Sequence, residues 1–337
     1  MDPANEGLLG ARPEPAAVDI HAERDRGRLA RAPLDIPLKG WRDILLRVGR
    51  GIFRDRVLPL AAGVAFYAIL AIFPALGVTL SIYGIFADAT TVSNHLVLLA
   101  GIIPPGSTEL LTEQMARIAT STSSTLTSAL LTSFAISLWS ANAGVAALFD
   151  ALNVVFKEVD KRSLVQFYAT TLLFTLLTVL FLVIAINGVV VLPIVLRYFG
   201  WGGVTETLLS VLRWPLLFFA VVGLLSVFYR YGPSRRRAKW RWVSVGSVAA
   251  AAVWIGASML FSFYVQSFDS YNRMYGSLGA VLGFMMWLWL SSVVVLLGAE
   301  IDAECELQTA VDTTEGPPKP LGQRGAVVAD TLGEAQS

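Results

Sequence analysis

The last apolar stretch of the chain runs directly into carboxylates, in the sequence LGAEIDAE from Leu297 to Glu304. Acids in this position suit a catalytic or metal-binding cluster, a proton or ion relay, or a helix end that leaves a membrane. In a helix, residues four apart are neighbours, so Glu300 and Glu304 share one face. Asp302 shares a different face with Glu306. Acids on different faces do not converge by themselves, and this disfavours a metal site.

Histidine and cysteine are scarce, although metal sites and many catalytic sites depend on them. The chain has two histidines, His21 and His95, and one cysteine, Cys305. A single cysteine excludes an internal disulfide and a paired-cysteine zinc site. The sequence also contains neither GxxxxGK[ST] nor GxGxxG, the glycine motifs that bind nucleotide phosphates. We therefore expect no catalytic residue, metal or cofactor, and we interpret the protein as not an enzyme.

The composition indicates a membrane protein. Hydrophobic residues make up 55% of the 337 residues and charged residues only 15%, whereas soluble domains carry about 25% charged residues. Segments of roughly 20 apolar residues can cross a bilayer as helices, and these are too long and too uniformly apolar for barrel strands. The prediction is an all-α, polytopic integral membrane protein with six transmembrane helices, at about 59–87, 126–149, 168–192, 208–229, 243–266 and 278–299.

Lysine and arginine are concentrated in alternate connections between these segments. Because positively charged connections stay on the cytoplasmic side, six spans place both termini in the cytoplasm. The basic connections are the one before the first span (Lys39, Arg42, Arg47, Arg50, Arg54, Arg56), the second (Lys157, Lys161, Arg162) and the fourth (Arg230, Arg235, Arg236, Arg237, Lys239, Arg241).

The two ends of the chain differ from the membrane domain at 39–306. Residues 1–38 and 307–337 are polar, rich in proline or glycine and without helical periodicity, and we predict a disordered cytoplasmic arm and tail. Between the arm and the first span, apolar residues such as Trp41, Ile44 and Val48 recur at helical spacing. This predicts a basic amphipathic helix at 39–58, which either lies in the headgroup layer or continues the first span.

Three residues are candidates for a path or a gate: Asn142, Pro74 and Glu300. An amide within a span either ties helices together or lines a cavity, and a proline kinks a helix. Glu300 ends a stretch of about 34 Å at 1.5 Å per residue, so it is expected at the cytoplasmic interface. There it is either part of a solvated helix end, paired with arginines of the fourth connection, or it turns inward to contact a neighbouring helix or to gate an opening.

Two further groups are candidates for contacts. Gly276, Gly279 and Gly283 allow close helix packing, either within the chain or in a homo-oligomer. Polar residues near the spans could contact headgroups or a protein partner: Asn272, Arg273, Tyr275, Arg235, Arg236 and Arg237. The arginines beside Trp240 could also bind RNA, but the positive-inside rule and an aromatic belt explain them better, so we expect no nucleic-acid partner.

Three stretches are specific in their order and spacing. They are LAAGVAFYAILAIFPALGVTLSIYG (Leu60–Gly84), WSANAGVAALFDALN (Trp139–Asn153), and a C-terminal block, YRYGPSRRRAKWRW (Tyr229–Trp242) with FYVQSFDSYNRMYGSLGAVLGFMMWLWLSSVVVLLGAEIDAE (Phe263–Glu304). Together they resemble the YihY/BrkB family of bacterial inner-membrane proteins, historically mislabelled ribonuclease BN. The resemblance implies a six-helix protein of the inner membrane. One member is linked to serum resistance and virulence, and envelope lipid transport has been suggested for others.

These observations lead to three functional hypotheses. The first is a transporter or lipid translocase of the cell envelope, with membrane lipids as its partners and a path lined by polar residues. The second is a non-catalytic scaffold or accessory subunit that binds envelope transport proteins. The third, an enzyme such as the mislabelled ribonuclease, lacks the catalytic residues that it would need.

Overall fold

A computed structural model describes residues 23–86, 123–186, 204–267 and 277–336. In these residues the regular structure is helical, with one isolated β-bridge between Ala238 and Thr314. The α-helices are α1 (Leu38–Arg54), α2 (Val57–Phe86), α3 (Ser123–Val155), α4 (Leu164–Ile186), α5 (Val204–Tyr231), α6 (Val245–Ser267), α7 (Ser277–Gln308) and the short α8 (Val327–Asp330). The prediction of an all-α fold agrees with the described residues.

Each predicted span overlaps one of the helices α2 to α7. Within the described residues, three stretches are long and apolar enough to cross a membrane: Leu131–Val155, Leu164–Leu182 and Leu282–Gln308. Parts of α2, α5 and α6 form shorter apolar stretches. The membrane class therefore follows from the described helices, while six crossings and two cytoplasmic termini stay predictions.

Helix α7 is the central element of the described structure. It packs against α1, α2, α3 and α6, and polar tips of aromatic side chains tie it to its neighbours. The indole of Trp289 donates to the carbonyl of Leu58 at 3.1 Å, and the hydroxyl of Tyr229 donates to the carbonyl of Val295 at 2.6 Å. Because a buried aromatic donor needs an acceptor, these bonds fix the position of α7 relative to α2 and α5.

Helices α6 and α7 cross at two glycines, Gly246 and Gly298. A Cβ on Gly246 would stand 2.0 Å from the carbonyl oxygen of Gly298. A Cβ on Gly298 would stand 2.6 Å from both the Cβ of Ala250 and the hydroxyl oxygen of Tyr229. The backbones therefore approach more closely than any side chain allows.

Large apolar side chains cover much of the outer surface of the helices. Leu131, Phe134 and Trp139 on α3 are exposed, as are Leu260 and Phe263 on α6. So many large apolar side chains exposed along several helices are uncommon in a water-soluble protein. These faces suit contact with lipid acyl chains.

Helix α1 is separate from the first predicted span, because the chain breaks at Asp55 and at Arg56, which has a left-handed φ of 52°. Ile44 and Val48, which the prediction placed on the apolar side of a helix in the headgroup layer or of a continued first span, are buried in the protein core. The predicted separation of apolar from basic residues is not kept, because Leu45 is exposed while Arg47 is buried on the side where α7 lies alongside α1.

The predicted disorder of both ends is wrong for the described residues of the arm and the tail. Arg28 in the arm is fully buried and donates to the carbonyl of Gly333 at 2.8 Å. In the tail, the peptide of Gly325 accepts from the backbone N–H of Arg236 at 3.0 Å. A low apolar content favours disorder only when polar groups lack partners, and here the arm, the tail and α7 supply partners to one another.

Candidate functional site

The four acids at the end of α7 are buried. The exposure of Glu300, Asp302, Glu304 and Glu306 is 1%, 0%, 1% and 0%. The hypothesis of a solvated helix end is therefore wrong, because α7 extends to Gln308 and the arm, the tail and α1 cover its end. The predicted division into two faces is present, since Glu300 and Glu304 face α1 while Asp302 and Glu306 face α6 and the fourth connection.

Glu304 is paired with an arginine of α1. The Nε of Arg47 donates to the Glu304 carboxylate at 2.5 Å, and a second nitrogen of Arg47 donates to Oε1 of Gln308 at 2.7 Å. Both partners of the ion pair are at least nine-tenths buried. Arg47 also donates to the carbonyl of Glu334 in the tail at 3.1 Å. One guanidinium thus joins α1, α7 and the tail.

On the other face of α7, Glu306 and Arg235 form an ion pair in which neither side chain is exposed. The two bonds measure 2.7 and 3.1 Å, and the hydroxyl of Thr313 donates a third to Glu306 at 2.7 Å. The expected pairing of the acids with the fourth connection is thus present. Asp302 accepts from the backbone N–H of Gly246 at 2.7 Å, in the first turn of α6, where the helix dipole favours negative charge.

Glu300 turns inward to the joint between α1 and α2. A Cβ on Gly51 would stand 3.0 Å from its Oε2, and its carboxyl interacts with that of Asp55. Oε1 of Glu300 receives no hydrogen bond from a donor among the described residues. Two neighbouring carboxyl groups can bond to each other only when one holds a proton, so this contact can respond to proton binding.

Asp55 also has a cationic neighbour. Burial raises the pKa of Asp55, but its bond from Arg54 at 2.8 Å and the charge of that arginine outweigh burial, so the pKa lies below its ordinary value. A bond to Glu300 acts in the same direction. Asp55 therefore carries the charge at this joint, next to the buried Glu300.

Asn142 lies between α3 and α4, away from the acids. It is buried, and its Oδ1 accepts from the hydroxyl of Thr175 at 3.4 Å. This contact favours the helix-tying interpretation, although it leaves a role in a path open.

Pro74 lies within α2 (Val57–Phe86), and nothing is described of its side chain. Asn142 is not among the described contacts of Glu300. The surface pocket lined by Arg24, Asp25, Gly27, Leu29, Ala30, Arg31, Asp35 and Pro37 includes none of the three residues.

The candidate contact residues are placed as follows. Arg235 is buried in its ion pair and is not available to headgroups. The guanidinium of Arg236 packs 2.6 Å from where a Cβ of Gly316 would stand, and Arg237 stacks on Tyr231 at 4.9 Å. No atom of the described residues lies within 4 Å of a Cβ on Gly283. Of the other candidates, Gly279 lies within α7 with its surroundings not described, and Asn272, Arg273, Tyr275 and Gly276 lie outside the described residues.

Sequence reasoning missed several residues that build this end of the protein. Arg28, Arg47, Gly246 and Asp55 gave no signal of their own, because their partners lie far away in the chain. Gly298 lies two residues before Glu300, and the structure gives both residues a physical reason, a close helix crossing at Gly298 and an inward carboxyl at Glu300.

The tail provides a direct test of its own packing. Arg324 is 4% exposed and donates to the carbonyls of Ala310 and Ala329 at 2.5 and 2.7 Å. We expect Arg324→Ala to leave both carbonyls without a donor and to speed amide exchange over Val327–Asp330 by roughly tenfold to a hundredfold, since buried bonds to a charged group contribute about 1.5–3 kcal/mol. Hydrogen exchange read by mass spectrometry measures this. Lys319→Ala, at an exposed site, is the control, and equal exchange in both variants would contradict the packing.

The described polar groups at this end of α7 form ion pairs and hydrogen bonds. No group of three or more histidines, cysteines or acids in the described ranges is arranged to hold a metal. A helical chain with long apolar stretches and a buried ionic network at one end is an integral membrane protein.

Comparison with known proteins identifies the family. The model of the family described as virulence factor BrkB matches residues 48–322, and the chain belongs to this family. It is 33% identical to the ribonuclease-like protein YfkH of Bacillus subtilis, over 51% of this chain and 65% of that protein. It is 29% identical to a UPF0761 membrane protein of Chlorobium phaeobacteroides and 23% identical to one of Psychromonas ingrahamii, over 74% and 78% of this chain.

The chain spans 65%, 54% and 56% of the first three curated relatives that it matches and 87% of the Psychromonas protein. No solved structure matches the chain. The predicted membership of the YihY/BrkB family is confirmed. The ribonuclease-like name of YfkH corresponds to the historical mislabel.

Proposed function

We propose that this membrane protein is a transporter of the cell envelope, that its substrates are membrane lipids, and that it is not an enzyme. It resides in the bacterial inner membrane with both termini in the cytoplasm. Transport is passive, driven by a gradient or powered by a partner, because the sequence has no nucleotide-binding motif.

The observation that carries this proposal is the buried Glu300. Buried ionisable groups are costly in a membrane protein and tend to mark substrate paths and proton relays. If these buried acids had only a structural role, each carboxylate oxygen would be expected to accept a hydrogen bond. Oε1 of Glu300 and Oδ2 of Asp302 instead have no donor among the described residues. We assign Glu300 the role of a gate, at the joint where α1, α2 and α7 meet.

Asn142 belongs to this proposal as a polar side chain buried between α3 and α4, where its Oδ1 accepts from the hydroxyl of Thr175 at 3.4 Å. The Pro74 position in α2 belongs to the same proposal, since α2 packs along α3 and proline allows a helix to bend.

The test is phospholipid translocation by the purified full chain in proteoliposomes. A fluorescent phospholipid is placed in both leaflets, and dithionite quenching reports how fast the inner pool reaches the outer leaflet. We expect translocation above that of protein-free vesicles. Glu300→Gln should slow it on the order of tenfold, the scale of about 1.4 kcal/mol in a barrier, because the amide cannot ionise as the Glu300 carboxyl can, so it stays buried and favours the closed state.

The matched control is Glu334→Gln, the same substitution at an exposed tail position, which should leave the rate unchanged. Asn142→Leu tests the path separately. Folded protein that translocates no phospholipid would exclude the lipid translocase. Translocation that is unaffected by Glu300→Gln would remove the gate from the proposal but keep the activity.

A scaffold or accessory subunit is the second candidate, favoured by the close packing around α7. Such a protein would present a surface to envelope transport proteins or to a second copy of itself. Gly283, which has open space around it among the described residues, suits a homo-oligomer contact. Crosslinking in membranes followed by mass spectrometry distinguishes this candidate, since it predicts a stable partner and no translocation.

A further inference from the structure

The outward side of α1 carries a surface that the proposed function does not use. Its members are Leu38, Arg42, Leu45, Gly49 and Phe53, with Leu46 and Arg50 at one edge, and all seven are exposed. At 100° per residue, positions 38, 42, 45, 49 and 53 form one stripe along the helix. We call these seven residues the α1 outer face.

The apolar part of the α1 outer face is large for a surface in water. Leu38 is 88% exposed, Phe53 77% and Leu45 60%. The opposite side of α1 is already occupied, because Ile44, Arg47 and Val48 pack into the protein. The outer face is therefore a second apolar face of the same helix, and the described residues leave it uncovered.

The charge of the α1 outer face has one sign. Arg42 and Arg50 make no ion pair or side-chain hydrogen bond with another described residue. The three other cations of α1 are engaged: Lys39 with Asp25 at 2.7 Å, Arg47 with Glu304, and Arg54 with Asp55 at 2.8 Å. The acid within α1, Asp43, points inward and is 1% exposed, bound to Arg26. No carboxylate of α1 thus opposes a negatively charged partner.

We propose that the α1 outer face binds anionic phospholipids of the membrane that the protein spans. Leu45 and Phe53 enter the boundary between headgroups and acyl chains, and Arg42 and Arg50 bind lipid phosphates. Apolar side chains next to unpaired cations are the features of helices that lie in the membrane interface, and cations near an anionic leaflet each favour binding. The break at Asp55 and Arg56, directly before α2, holds α1 at the point where the chain enters the apolar bundle. This inference holds whether the protein transports lipid or acts as a scaffold.

The test uses a fluorophore at the centre of the α1 outer face. Gly49→Cys provides the attachment point, since a Cβ there meets no described atom within 4 Å, and the buried Cys305 is replaced by alanine. The full chain is placed in nanodiscs of phosphatidylcholine and phosphatidylglycerol. Two samples of identical composition differ only in which lipid carries bromine near the top of its acyl chains, and bromine quenches fluorescence on contact.

We expect stronger quenching by brominated phosphatidylglycerol than by brominated phosphatidylcholine. Arg42→Gln with Arg50→Gln should remove this preference, with a loss of roughly fivefold for each arginine. Arg31→Gln with Arg241→Gln is the matched control, because it removes the same charge at exposed positions outside α1 and should keep the preference.

Three results would overturn the proposal. Without quenching by either lipid, the face lies in water. Equal quenching by both lipids in the unmodified chain means apolar contact without recognition of anionic lipid. A preference that survives the loss of both arginines assigns the binding to other residues. Thermal unfolding of each variant in detergent confirms that folded protein is compared.

Discussion

Gly246→Ala is expected to prevent stable folding of the protein. The new Cβ would stand 2.0 Å from the backbone oxygen of Gly298 and 2.6 Å from Cγ of Asp302. Neither neighbour is the free end of a flexible side chain, so α6 and α7 must move apart. Overpacking usually costs about 1–3 kcal/mol, and we expect at least about 3 kcal/mol because a backbone carbonyl is in the way. The separation also removes the bond from Gly246 to Asp302 and leaves a buried carboxylate with neither oxygen bonded.

The comparison is Gly256→Ala, the same change further along α6. Gly256 is exposed and has no atom of the described residues within 4 Å of its Cβ position. Alanine there should be neutral or stabilising by about 0.5–1 kcal/mol, because glycine is the poorer helix former. Yield of monodisperse protein in detergent and its thermal midpoint measure both variants. Equal behaviour of the two would show that the helices do not cross at Gly246.

Breaking the ion pair between Arg235 and Glu306 is the second change with a large expected effect. Neither side chain is exposed, so Glu306→Ala leaves a guanidinium buried without its partner. Removing one member of a buried pair costs about 3–5 kcal/mol. We expect a comparable loss for Arg235→Ala, which leaves Glu306 with Thr313 as its hydrogen-bond donor.

The double variant Arg235→Met with Glu306→Leu separates the cost of an unpaired buried charge from the net stabilisation that the ion pair provides. Replacing both charges with apolar groups of similar size is often neutral, so we expect it to be closer to the unmodified chain than either single variant. Thermal unfolding of the unmodified chain, Arg235→Met, Glu306→Leu and the double variant gives the coupling energy. Lys39→Ala breaks an exposed pair with Asp25 and should change stability little, because water and salt screen an exposed pair. Single variants at 235 and 306 that resemble this control would contradict a buried pair.

The helices were predictable because a bilayer leaves few choices. Long apolar segments must satisfy their own backbone bonds, and a helix does this within the segment. Boundaries were less accurate at the polar end of α7. The predicted span stopped at Ala299 because the charge begins there, yet the helix continues to Gln308, since buried partners and not the apolar composition sustain it.

The sequence also determined that the acids lie on two faces, since residues four apart in a helix are always neighbours. The opposite charges of the acids and the fourth connection predicted that they would pair, and Arg235 and Glu306 form such an ion pair. Membership of the family followed from three motifs whose order and spacing agree. These features depend on local geometry or composition, which a single chain displays without its fold.

Only the tertiary structure decided whether those acids face water or the protein interior. Whether a helix end is buried depends on which other segments pack against it. Here Arg28 and Arg47 come from the N-terminal part of the chain and the tail comes from its C-terminal part. The tail was predicted to be disordered because it is polar, but its polar groups bond to α7, the arm and the fourth connection. A polar segment becomes ordered when the tertiary fold brings hydrogen-bond partners next to it. The spacing of residues along the sequence does not show which distant residues become such partners.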